Sequence, residues 1–139
     1  MKLLDTNIFV YAQGGPHPYR EPCQTLVAAL EEHSSEYNVD TELLQGVLHV
    51  YSLRGERPRA LRTFDRRLRL FPYPIAIAGQ ELLVARQIFE RYPALSSRDA
   101  IHAAVVQTQG LEGIVTTDRA FSDVLGLTAF DPRDVAAGA

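Results

Sequence analysis

With a single cysteine, Cys23, the chain has no partner for an internal disulfide, and a reducing cytoplasmic setting is expected. No apolar run is long enough to cross a bilayer, which excludes a membrane-spanning helix and leaves no membrane partner expected. The opening Met1-Lys2-Leu3-Leu4-Asp5 meets an acid too early for a secretory leader. The four histidines (His17, His33, His49 and His102) are scattered, so no cysteine–histidine cluster has zinc spacing. Nor is there a Ser–His or Cys–His arrangement of the kind acyl transfer needs. No repeat, low-complexity stretch or linker divides the 139 residues. One domain over residues 1–134 is expected, with 135–139 as a loose tail. A net charge of −3 offers no bulk attraction for nucleic acid.

Strand and helix patterns alternate along what remains. Lys2–Leu4 reads as a short buried strand, and Gln13–Pro18 as a turn-rich loop. Glu21–Glu32 reads as a helix, with Leu26, Val27, Ala29 and Leu30 at helical spacing. Tyr37–Val39 is a strand leading to Asp40, a good N-cap for a helix over Thr41–Leu53. Pro58 opens a further helix through Leu68, and Tyr73–Ala78 reads as a strand entry. Glu81–Arg91 and Ser97–Gln109 are helical, stopped by Tyr92-Pro93 and by Gly110. Gly113–Thr116, Ala120–Leu125 and Thr128–Phe130 follow as strand, short helix and strand. Strands separated by helix-length segments predict crossovers, and hence an α/β fold with a mainly parallel sheet. Sites in such sheets lie beyond the carboxyl ends of the strands.

Four acids stand where acids are expensive. Asp5 ends the run Leu3-Leu4, and Asp118 ends Ile114-Val115-Thr116-Thr117. Asp99 and Glu42 sit at the heads of apolar helical stretches. Each has a structural alternative: Asp5 and Asp118 as helix caps, Asp99 in a capping box with Ser96, Glu42 answering a helix dipole. Gathered in one crevice, unpaired carboxylates raise one another's pKa, and a divalent cation resolves that conflict. Hard oxygen donors suit magnesium, with manganese as the substitute. Thr6, Asn7, Thr116 and Thr117 lie beside the acids and are candidates to orient ligands. His49 and His102 read as satisfied, half-buried helix residues. Between Arg54 and Arg69, seven arginines face only Glu56 and Asp65. On a helix, Arg59, Arg62, Arg66 and Arg69 share one face: a solvated surface, a phosphate-tracking ridge or a dock for an acidic segment.

Leu4-Asp5-Thr6-Asn7-Ile8-Phe9-Val10-Tyr11-Ala12, Ser97-Arg98-Asp99-Ala100-Ile101-His102-Ala103-Ala104 and Thr116-Thr117-Asp118-Arg119-Ala120-Phe121 resemble the PIN-domain family. The resemblance is nearest to the VapC ribonuclease toxins of toxin–antitoxin pairs, and it spans nearly the whole chain. It implies a three-layer sandwich around a parallel sheet, a metal-dependent endoribonuclease acting on RNA, a homodimer, and inhibition by a VapB-type antitoxin. Asp5, Asp99 and Asp118 match the family's acidic, metal-holding positions.

One position departs. Where the family has a glutamate in a Leu-Gln-Glu pattern, this chain reads Leu44-Gln45-Gly46. Glu42 lies one turn earlier, its root roughly 6 Å away along the axis, and is the candidate substitute. Glycine inside a helix costs about 1 kcal/mol relative to alanine. Either the site evolved weak or the glycine is an inactivating change. Two rivals follow. A phosphatase of the haloacid-dehalogenase kind needs a second aspartate where Asn7 stands. A disabled nuclease-like module would bind RNA or a partner protein through the arginine face.

Overall fold

Leu3 pairs with Ile114 and Leu4 with Val115 across two parallel strands, Lys2–Leu4 (β1) and Gly113–Val115 (β3), at the centre of the molecule. In the computed structural model, which describes residues 1–137, Tyr37–Asn38 (β2) and Ala129–Phe130 (β4) flank them. The sheet runs β2-β1-β3-β4 and every pairing is parallel. Side chains alternate across a strand, so each central strand feeds two cores. Leu3 and Ile114 pack with Ala85, Ile88, Ala103 and Phe121; Leu4 and Val115 pack with Ile8, Phe9, Leu26 and Leu43. Helices therefore cover both faces, giving the three layers expected.

The helices are Thr6–Gln13 (α1), Arg20–Ala29 (α2), Thr41–Leu53 (α3), Arg57–Leu70 (α4), Gly79–Arg91 (α5), Ser97–Thr108 (α6) and Pro132–Ala137 (α7). Three local readings change. Of Tyr73–Ala78, only Ile75 joins strand-like pairing: its N–H donates to the Val39 carbonyl and its own carbonyl accepts from Thr41. Pro72 and Pro74 lack the N–H groups a longer ladder needs. The short helix expected at Ala120–Leu125 is a 3₁₀ turn over Arg119–Asp123. The tail expected to be loose from 135 is helical through Ala137, since the Asp131 carboxylate accepts from the Arg133 N–H and Val135 packs on the second core. Residues 138–139 lie outside the described residues.

On α4 the arginines divide. Arg59, Arg62, Arg66 and Arg69 are exposed, as their spacing predicts, whereas Arg67 turns inward and is 5% exposed.

Candidate metal centre

Two aspartates do the same local job at adjacent strand ends. Asp5 follows β1 and caps α1, Oδ1 accepting from the Thr6 N–H at 2.7 Å. Asp40 follows β2 and caps α3, Oδ1 accepting from the Leu43 N–H at 3.1 Å. Both are buried, Asp40 completely. The positive ends of α1 and α3 are thereby turned toward the carboxyl edge of the sheet, where negative charge is favoured.

His102, on α6 and 2% exposed, links the two acids. Its Nδ1 is hydrogen-bonded to Asp40 Oδ2 at 2.5 Å. Its Nε2 lies 4.0 Å from Asp5 Oδ1. Burial opposes charge on this ring, yet Asp40, Asp5 and Asp99 together outweigh it and raise the His102 pKa. Asp5 is raised as well, first by burial, with Asp99 adding to it; His102 and Thr116 pull the other way. Asp99 thus acts on both groups from the first turn of α6. Its N–H donates to Ser96 Oγ at 3.1 Å, half of the predicted capping box; among the described residues its carboxylate makes no return bond.

Thr116 ties the third acid to the first. Its hydroxyl accepts from Asn7 Nδ2 at 3.3 Å and from the Asp118 N–H at 3.0 Å. With both lone pairs used, its proton goes to Asp5 Oδ2 at 2.7 Å. Asn7 Oδ1 also accepts from the Thr117 N–H at 3.4 Å, which fixes the loop after β3. Asp118 Oδ1 caps the 3₁₀ turn through the Ala120 N–H at 2.9 Å. Asn7 and Thr116 are therefore supports through their side chains and Thr117 through its backbone. Thr6 supports through its N–H, while its hydroxyl is buried without a partner among the described residues.

Glu42 does not stand open to the crevice as expected. Its Oε1 accepts from Arg98 Nε at 2.9 Å. The rest of that guanidinium lies over Gly46: a Cβ built there would sit 1.7 Å from Arg98 Nη2 and 2.8 Å from its Cζ. The mid-helix glycine therefore has a local reason that the sequence pattern does not reveal. It is the seat of an arginine.

Among the described residues, no three histidine, cysteine or carboxylate side chains close into a ready-made metal cage. Position 46 brings no carboxylate, Glu42 is held by Arg98, and Asp118 is tied into its cap. The donors still fit a hard divalent ion of the magnesium type. Such an ion is held by one or two carboxylates and completes its shell with water and substrate phosphate. Asp5 and Asp99, the latter near enough to help raise the Asp5 pKa, are the pair that would supply them.

Sequence reasoning missed the Asp40–His102 link and Arg98. Asp40 carried the signal Asp5 carries, an acid ending a strand and opening an apolar helix. His102 follows Asp99 at a helical spacing of three.

The PIN-domain description matches residues 2–127. Ribonuclease VapC7 of Mycobacterium tuberculosis is 34% identical over 128 residues, 89% of this chain and 86% of that protein. Ribonuclease VapC13 of the same organism is 29% identical, covering 91% and 97%. Among solved structures, FitAcB from Neisseria gonorrhoeae superposes with a TM-score of 0.71 at 17% identity, over 95% of this chain and 98% of that one. VapBC2 from Rickettsia felis, bound to a DNA fragment from its promoter, gives 0.65 at 17% identity over 94% and 98%. VapC ribonucleases generally depend on a divalent metal. With its acids at the strand ends and similarity over nearly its whole length, the chain belongs to the PIN-domain family, among the VapC ribonucleases.

Proposed function

We propose that this chain is the toxin of a VapBC-type pair: a cytoplasmic, magnesium-dependent endoribonuclease, with manganese able to substitute. Its nuclease domain extends through α7, it works as a homodimer, and a VapB-type antitoxin restrains it. The observation carrying this reading is that Asp99 lies near enough to Asp5, buried at the sheet's carboxyl edge, to help raise its pKa.

A divalent ion, when bound, supplies charge to polarise a scissile phosphate and to activate water. Asp5 and Asp99 would hold it, with Asp118 completing the acidic wall. Thr116 fixes the Asp5 carboxylate through Oδ2, and Asn7 fixes Thr116. His102, held by Asp40, offsets part of the acidic charge from beneath. The N-termini of α1 and α6 direct backbone dipoles at an incoming phosphate. Substituting Asp5→Asn keeps the shape and removes the charge. The variant should fold yet lose magnesium-dependent cleavage of RNA; parental cleavage would exclude Asp5 as a ligand.

The Arg98–Glu42 bond favours a second reading, a nuclease of weakened activity that still binds RNA or a partner protein. RNA binding without magnesium-dependent cleavage by the parent chain would select it.

A further inference from the structure

Arg67 is a nearly buried cation that no carboxylate among the described residues contacts. Among the described residues it makes no ion pair and no side-chain hydrogen bond, although it is 5% exposed. Its guanidinium carbon lies 4.1 Å from the centroid of the Phe9 ring, which supplies a cation–π contact but no negative charge. Burial, with Arg66 adding to it, pushes its pKa down to about 10, so it stays protonated at neutral pH. Buried charges are ordinarily paired, because desolvating one alone is costly.

Arg67 lines a groove of about 800 Å³ between α4, the end of α1 and the segment after α2. Arg66, Arg69, Gln13 and Ser34 line it too, with Glu31 as its one acid. On its inner side Arg67 borders a smaller chamber of about 70 Å³ that reaches Thr6 and Gly46. Gln13 touches both spaces. Through that chamber the groove leads along one face of α1 to Thr6, the residue after Asp5, about 10 Å of helix rise from Gln13.

We propose that this groove binds a backbone phosphate of the RNA strand away from the scissile one, with Arg67 as the anchor and Arg66 and Arg69 as its exposed flank. This rests on the ribonuclease reading. A planar guanidinium held rigid against an aromatic ring matches the paired oxygens of a phosphodiester. Because the groove and the chamber share Gln13 and Arg67 and lead to the residue beside Asp5, they favour a strand running on toward the acids over an acidic protein segment confined to the groove.

The test uses the full chain carrying Asp5→Asn, a single-stranded oligoribonucleotide and fluorescence anisotropy over a salt series. Arg67→Gln should weaken binding about tenfold, as expected for one charge-assisted hydrogen-bonded interaction. The slope of log affinity against log salt should shrink by about 0.7 for each phosphate that is no longer neutralised. Arg66→Gln with Arg69→Gln should act in the same direction, and it carries the test if Arg67→Gln does not fold. Arg57→Gln, exposed on the same helix outside the groove, should leave the slope unchanged. Parental slopes in the groove variants overturn the proposal, as does a loss confined to a decaglutamate peptide used in place of RNA. If those variants match the parent while the chain with Asp5 intact cleaves RNA with magnesium, only this proposal falls. If the parent neither binds nor cleaves RNA, the ribonuclease reading falls with it.

Discussion

Replacing Gly46 tests how the arginine and the carboxylates share the crevice. A Cβ at position 46 would lie 1.7 Å from Arg98 Nη2, so something must move. The obstacle is the far end of a flexible side chain, and the guanidinium should swing away before the helix shifts. That motion breaks its 2.9 Å bond to Glu42, a partly exposed pair worth about 0–1 kcal/mol. Gly46→Ala also gains about 1 kcal/mol of helix propensity. The two contributions nearly cancel, so urea denaturation should give the alanine variant parental stability within about 1 kcal/mol. It should also free Glu42. Gly46→Glu goes further by placing a carboxylate where the guanidinium lay, and manganese affinity measured by electron paramagnetic resonance should rise. Arg98 would compete for that new carboxylate by about 1 kcal/mol, so adding Arg98→Ala should tighten manganese binding by a further factor of about five. A full extra ligand should be worth on the order of a few kcal/mol in the cleavage barrier. The reasoning fails if Gly46→Ala loses more than about 2 kcal/mol, which would mean that Arg98 cannot leave. It fails also if all these variants bind manganese like the parent, which would place position 46 outside the site.

His102→Ala strips the buried Asp40 and Asp5 carboxylates of their shared partner and should cost about 3–5 kcal/mol in chemical denaturation; a loss below about 1 kcal/mol would mean the linkage is incidental. The Asp131 carboxyl is held down to about 2 chiefly by the Arg133 side chain, with Tyr19 also bonded to it. A depressed acid contributes stability above its ordinary pKa of 3.8 that is lost as pH falls toward 2. Hydrogen exchange in α7 should therefore accelerate across that window in the parent and lose this dependence in Asp131→Asn. An antitoxin segment presenting arginine or lysine to Asp5 and Asp99 should release bound manganese as it binds; manganese retained in the complex would place the antitoxin elsewhere.

The layered fold was legible because each strand is an apolar run ended by a polar residue and each helix has a cap or stop that local rules recognise. Asp5, Asp40 and Ser96 are such caps, and all three bond as their positions predict. Pairing between distant residues was not legible. Nothing near Asp40 shows that His102, 62 residues later, will bond to it. Nothing near Arg98 shows that Glu42 and Gly46 will receive its two ends. Arg67 lay between these cases. Counting charges only grouped it with six other arginines, but helical spacing puts it on the face of Ala60, Thr63 and Phe64, which points inward. The apolar stripe decided its direction and the charge did not.

Glu42, Gly46 and Arg98 behave as one unit, and that changes what the missing glutamate means. Losing a carboxylate from a crevice of like charges lowers their mutual repulsion, and bringing an arginine to the same wall lowers it again. His102 contributes from the other side by joining Asp40 and Asp5. A crevice neutralised from within has less need of a bound cation to stay folded. Metal affinity should therefore depend on where the Arg98 and His102 side chains rest as much as on how many carboxylates remain. On that footing Arg98→Ala alone, with Gly46 untouched, should tighten manganese binding by returning Glu42 to the crevice. Unchanged affinity in that single variant would show that Glu42 cannot reach the ion, and that the arginine serves only to hold α6 against α3.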